Sequence, residues 1–189
     1  PKNKYQVAYS ERIKVLQFVK DTHFVELIPT RVVYSLKEAY EHYRWALENE
    51  LEGTIVKHPD MIWEDTTSKF QVKLKLAFEV ELVITGFNAG NGKNADLFGS
   101  ISGESSDGKL KVSAHGFSDE LRKQLFEDKD SLIGKVMTVK ANSIMPPDRK
   151  DYHSLFLPIF VEIRYDKQEA NSLEEIIAQY DSAIDNVSE

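Results

Sequence analysis

The chain has 189 residues, 41% hydrophobic and 29% charged, the balance of a soluble globular protein with one ordinary domain or two small ones. It contains no cysteine, which excludes disulfides, cysteine-zinc sites, thiol catalysis and iron–sulfur clusters together. The formal charge of −7 argues, at face value, against a nucleic-acid partner.

The predicted elements begin with an α/β rhythm. Phe24-Val-Glu-Leu-Ile28 and Arg31-Val-Val-Tyr34 read as strands separated by Pro29. Leu36, Ala39, Tyr40, Tyr43, Ala46 and Leu47 recur at helical spacing behind Ser35, with Glu38 completing a capping box, and predict a helix over 35–50. Gly53-Thr-Ile-Val-Lys57 is short, β-branched and stopped by Pro59, and reads as a buried strand. Residues 58–69 are a polar loop, and 69–75 a further strand.

The rhythm changes near residue 76. Phe78–Phe87 is a long strand, and residues 88–94 a glycine- and asparagine-rich loop. Phe98–Ser106 and Lys109–Ala114 flank Asp107-Gly108, a type I′ hairpin signal. Ser118–Asp130 reads as a helix, Lys135–Ile144 and Leu155–Arg164 as two more strands. Five strands with one helix before the fourth resemble a Greek-key OB barrel. A last helix starts at the capping box of Ser172 and Glu175, with Leu173, Ile176, Ile177 and Tyr180 on one face. The expected class is α+β, with segments 1–77, 78–167 and 168–189. The last 22 residues hold six acids and no Lys or Arg, so most of the net charge belongs to the terminal helix. No apolar run approaches the roughly 20 residues of a membrane span, so no membrane partner is expected.

Three short motifs carry possible chemistry. Glu52-Gly53 followed by Lys57 places an acid and a cation at the two ends of a strand, an arrangement that also suits a core strand with solvated ends. Lys73 and Lys75 alternate, so their ammonium groups share one face and repel; a phosphate between them relieves that, as does an edge strand guarded by lysines. Arg164, Asp166 and Lys167 close the last barrel strand, able to fork onto a phosphate or to pair locally in solvent.

In this order and spacing the motifs resemble nucleotidyltransferase motifs IV, V and VI of the ATP-dependent DNA ligases, in their carboxy-terminal half. Ile62–Lys75, Leu155–Pro158 and Ile163–Asn171 look most like the T-even bacteriophage branch, and Tyr9-Ser-Glu-Arg12 resembles the segment after motif III. The resemblance implies part of an adenylation domain over 1–77, an OB-fold DNA-binding domain over 78–167, and an acidic helix. It implies that Glu52 helps hold Mg²⁺, that Lys73 and Lys75 contact the transferred phosphate, and that Lys57 and Arg12 line the nucleotide pocket. Arg164, Asp166 and Lys167 would orient the pyrophosphate of ATP, the AMP donor. Such roles suit phosphoryl transfer, where positioning and charge neutralisation dominate. The partner implied is nicked duplex DNA, whose 5′-phosphate is sealed to a 3′-hydroxyl through enzyme-AMP and DNA-adenylate. The resemblance implies that the intact enzyme is a cytoplasmic monomer, in the bacterial host's cytoplasm if phage-encoded.

The sequence departs from the family in one main respect. The nucleophilic lysine motif K-x-D-G is nowhere among the 189 residues, so the resemblance implies a chain inactive by itself. The loop before motif V reads Thr66-Thr67 where the family often has an arginine, with Lys69 the nearest cation. One alternative is an mRNA-capping guanylyltransferase. Another is a non-enzymatic OB module stacking single strands on Phe78, Phe87, Phe98 and Phe117, although core packing explains those aromatics more simply. Duplex contacts are expected from Lys93, Lys109, Lys111, Lys123, Lys140, Arg149 and Lys150.

Overall fold

The computed structural model describes residues 5–188. The chain divides into two compact units, the first ending at Lys75 and the second running Leu76–Val187. The expected mixture of helices and strands is what forms.

In the first unit, strand β1 (Tyr5–Ala8) leads directly into the short helix α1 (Tyr9–Lys14) and a 3-10 turn at Val15–Phe18. Helix α2 (Leu36–Glu48) buries Ala39, Tyr43, Ala46 and Leu47. Its capping is only half the expected box. The Ser35 hydroxyl accepts from the Glu38 N–H at 3.1 Å, but the Glu38 carboxylate accepts from the Tyr34 N–H at 2.9 Å instead of reaching back to Ser35. Strands β2 (Gly53–Lys57), β3 (Ile62–Trp63) and β4 (Gln71–Lys75) complete the unit. β2 pairs antiparallel with β4 and β1 with β3, so the stretch expected to be a polar loop contains a short strand.

Two further expectations are corrected here. Phe24–Ile28 and Arg31–Tyr34 form no strands; an isolated bridge from Thr22 to Val25 is the nearest pairing, and Phe24 is 91% exposed. A strand exists only where a neighbour completes its ladder, and Pro29 removes a donor between the two runs. β2 is also not buried, since a helix covers one side of the ribbon and Ile55 on the other is 54% exposed.

The second unit is built on strand β5 (Phe78–Ala89), followed by β6 (Phe98–Glu104) and β7 (Lys111–Ala114). Helices α3 (Asp119–Glu127) and α4 (Lys129–Leu132) carry the chain across to β8 (Val136–Ala141). The hairpin of β9 (Ser143–Met145) and β10 (Ser154–Phe156) precedes β11 (Ile159–Arg164) and the last helix, α5 (Leu173–Asp185). The five long strands are ordered β11-β8-β5-β6-β7, every pair antiparallel. The sheet's edge strands β7 and β11 meet through an isolated parallel bridge, His115 to Ile159, and not through a continuous ladder, while Leu110 bridges His153 beside β10. This is the strand order of an OB fold with a sparsely bonded seam.

Alternation along the strands makes the core. Phe78, Val80, Leu82 and Ile84 point inward from β5 to meet Phe98, Ile101, Met137, Val139 and Phe160. Phe87 and Phe117 pack edge-on against Phe98 at 5.0 and 4.9 Å between ring centres, so the aromatics belong to the core and form no open stacking platform. Ile176 of α5 enters the same cluster, and its Ser172–Glu175 capping box is complete.

Two local expectations also change. Asp107-Gly108 sits in the β6–β7 turn, but only Gly108 has a positive φ, 68°, and a type I′ turn needs two. The Gly108 N–H donates to the Ser105 carbonyl at 2.9 Å, closing a four-residue turn that ends in the left-handed region. The long strands expected over 135–144 and 155–164 are each broken, the second at Leu157-Pro158, where Leu157 has φ 52° and Pro158 has no N–H to donate.

Candidate functional site

The β2–β4 ribbon carries Lys57, Lys73 and Lys75. Lys75 lies opposite Gly53, Lys73 opposite Ile55 and Gln71 opposite Lys57. Opposed residues and alternate residues share a face, so Lys57, Lys73 and Lys75 all project from one side. Helix α2 covers the other side, where Nδ1 of His42 is 2.9 Å from the Thr54 hydroxyl oxygen. The mutual repulsion of Lys73 and Lys75 is partly answered by Glu52, whose Oε1 is 2.9 Å from Lys73 Nζ. That hydrogen bond, and then the Lys73 charge itself, hold the Glu52 carboxyl below its ordinary pKa.

Gly53 makes this ribbon possible. Its φ is +149°, and a Cβ on it would lie 2.1 Å from the Leu74 carbonyl oxygen. Arg12 and Lys57, distant in sequence, converge on Tyr9, at 5.6 and 4.9 Å from its ring centre. Arg12 is held there by donating to the Val7 and Met61 carbonyls, each at 3.1 Å. Tyr9 is therefore a member that sequence reasoning missed, although it opens the run Tyr9–Arg12.

Among the described residues, no cluster of three or more His, Asp or Glu side chains suits a metal. Glu52 is instead a single exposed carboxylate among cations. A lone carboxylate holds Mg²⁺ only with water and substrate phosphate completing the shell, and here Lys73 Nζ already engages it at 2.9 Å.

In the second unit Arg164, Asp166 and Lys167 come together at the end of β11. Arg164 donates through Nε and Nη2 to the two oxygens of Asp166, at 2.9 and 2.7 Å, a bidentate pair. Arg164 Nη1 and Lys167 Nζ each lie 2.5 Å from one oxygen of Glu81 on β5. Glu81 is the second member that the sequence did not reveal. It alternates with the core positions of β5 and so reads as a solvated strand residue, yet its side chain is only 12% exposed.

The Arg164 hydrogen bonds hold the Asp166 carboxyl down at about 2, and the same bonds push the Arg164 pKa up. A carboxyl depressed from 3.8 contributes stability at pH above its unfolded value, and that contribution is lost as pH falls through about 2. A carbon-detected titration of Asp166 is expected to show a midpoint near 2, rising toward the ordinary range in Arg164→Leu. A wild-type midpoint near 3.8 would contradict the pairing.

Four of the seven cations expected to meet DNA are already paired with acids. Lys93 bonds Asp119 at 3.0 Å, Lys109 approaches Asp107 at 3.5 Å, Lys111 meets Glu104 at 3.1 Å and Lys140 lies 4.0 Å from Glu79. These pairs are solvent-exposed and weak, so they discount a positive patch without abolishing it.

No family model matches the chain. The DNA ligase of Enterobacteria phage T4 is 34% identical over 187 residues, which are 94% of this chain and 38% of that ligase. The DNA ligase of Methanospirillum hungatei JF-1 is 30% identical over 193 residues, 91% of this chain and 35% of that ligase. The chain is a relative of the DNA ligases. It spans well under half the length of the ligases it matches. The solved structure Pmar-Lig_PreS3 superposes at a TM-score of 0.60 and 28% identity, over 68% of this chain and 30% of that one. A Lig E DNA ligase, described as binding DNA with a minimal scaffold, reaches 0.66 at 18% identity, over 85% of this chain and 61% of its own. At that identity the likeness speaks for the fold alone, and the fold is one that ligases use.

Proposed function

We propose that the chain supplies the phosphate-contacting and DNA-contacting part of an ATP-dependent ligase that seals nicks in duplex DNA. The observation that carries this reading is the shared face of Lys57, Lys73 and Lys75 beside Glu52. Lys57, Lys73 and Lys75 present like charge on one face of the ribbon, which Glu52 offsets at Lys73, and a nucleotide phosphate complements such a face. Glu52 would hold Mg²⁺ shared with that phosphate, and the metal would neutralise charge on the transferred group. Arg12 and Lys57, gathered on Tyr9, would form one wall of the nucleotide pocket. Arg164, Asp166 and Lys167 would meet the pyrophosphate portion of ATP. The partner is a nicked duplex, bound by the second unit mainly through phosphates.

ATP binding by the whole chain tests the central feature. Lys73→Ala and Lys75→Ala are each expected to weaken it about tenfold, the worth of one charge-assisted hydrogen bond. Affinity that is unchanged in both variants would remove the lysine face from the site. Since no K-x-D-G motif is present, labelled ATP with Mg²⁺ is expected to leave no covalent adduct on this chain, and a stable lysyl adduct would overturn that. In the same samples, a nicked 5′-phosphorylated duplex should bind more tightly than single strands, with affinity falling steeply as salt rises. Preference for single strands would favour an OB module without enzymatic function.

A further inference from the structure

We propose that Glu81 is a positioning residue that fixes Arg164 and Lys167 as a preformed pair for the pyrophosphate end of a nucleotide. The inference rests on reading those two cations as anion ligands, and adds the group that aims them.

Four observations converge on Glu81. Its two oxygens are divided, Oε1 to Arg164 and Oε2 to Lys167, each at 2.5 Å. Its side chain is 12% exposed, whereas Asp166, the other carboxylate of the group, is 65% exposed. Its backbone is held by Asn171, whose Oδ1 accepts from the Glu81 N–H and whose N–H donates to the Glu81 carbonyl, both at 2.8 Å. Finally, Arg164 reaches Glu81 across the intervening strand β8, where the small residue Thr138 stands directly opposite Glu81 in the ladder.

This arrangement does more than neutralise charge. An exposed acid would compete with phosphate for the two cations and could swing away when displaced. A carboxylate almost out of water cannot release both partners without leaving an unpaired buried charge. Glu81 therefore stays, and the anion must add to the donors that remain. Arg164 spends Nε and one N–H of each terminal nitrogen on Asp166 and Glu81, leaving one N–H on Nη1 and one on Nη2. Lys167, more exposed than Arg164, keeps protons that do not face Glu81. The anchor removes side-chain freedom before the ligand arrives, so less ordering remains to be done on binding.

Inorganic pyrophosphate with Mg²⁺, titrated calorimetrically into the full chain, tests this. Arg164→Ala should abolish binding, which establishes that the cations are the ligands. Glu81→Gln keeps the shape and removes the anchor charge, and is expected to weaken binding at least tenfold with an unchanged circular-dichroism spectrum. Glu81→Asp keeps the charge but is one methylene too short to span both cations, and should also lose most of the affinity. If Glu81→Gln does not fold, the aspartate variant decides. Should Arg164→Ala lose binding while both Glu81 variants bind as well as the parent or more tightly, Glu81 merely masks the cations and the proposal is overturned. If the parent binds no pyrophosphate, or Arg164→Ala binds equally well, the reading of the cations fails first and takes the proposal with it.

Discussion

Ile176→Asp is expected to leave the second unit unfolded at temperatures where the parent chain is folded. Ile176 is wholly buried, and it is the one residue of α5 that reaches full burial. It enters the cluster formed by Phe78, Leu82, Ile101 and Met137, while Tyr180 one turn on lies edge-on to Phe78 with ring centres 5.1 Å apart. Truncating a buried isoleucine costs about 2–5 kcal/mol, and a carboxylate without a partner in that place adds several more or forces itself neutral. A domain has roughly 5–15 kcal/mol of stability in all, so the substitution consumes most of it. Ile176→Val is the control, expected to cost only about 1 kcal/mol. Thermal melts followed by near-ultraviolet circular dichroism separate the two. An aspartate variant melting within a few degrees of the parent would show that α5 is dispensable.

Gly53→Val should dismantle the β2–β4 ribbon while leaving the second unit's melt unchanged. The backbone at Gly53 is in a region that side chains rarely adopt, and the first added carbon would meet the Leu74 carbonyl oxygen at 2.1 Å. Strain at such a position costs about 1–3 kcal/mol before the clash is counted, and since the Cβ itself makes that clash, no rotamer avoids it. β4 must then move away, carrying Lys73 and Lys75 out of line with Lys57. Amide hydrogen exchange reads this directly: protection across Thr54–Lys57 and Val72–Lys75 is expected to collapse, and ATP affinity to fall with it. Retained protection in those amides would mean that the ribbon tolerates the side chain.

The second unit was largely legible because its information is local. Phe78, Val80, Leu82 and Ile84 alternate, Ser118 and Ser172 cap their helices, and Gly108 marks a turn. The turn's class was not legible, since it depends on whether Asp107 also takes a positive φ, and it does not. In the first unit the run Phe24–Tyr34 has strand composition but no partner strand among the described residues. Lys73 and Lys75 could be placed on one face from strand geometry alone. Lys57 joins them only through the register with β4, which two short strands do not announce. Glu81 was hidden for a similar reason: its burial comes from Arg164, Lys167 and Asn171, all far along the chain.

Helix α5 also gives the second unit a sidedness. Ile176 faces inward, while Glu174, Glu175 and Asp181 are exposed, and the sequence after Lys167 holds no Lys or Arg. At physiological salt such a cluster is felt for about 8 Å beyond the surface. For the duplex proposed as partner, that flank is a keel: a polyanion drifting in from that direction is turned away before contact, and encounters are biased toward the remaining surface. The acids that lower the net charge to −7 thereby act on the route of approach, and the sign of the whole chain says little about the surface that DNA would meet.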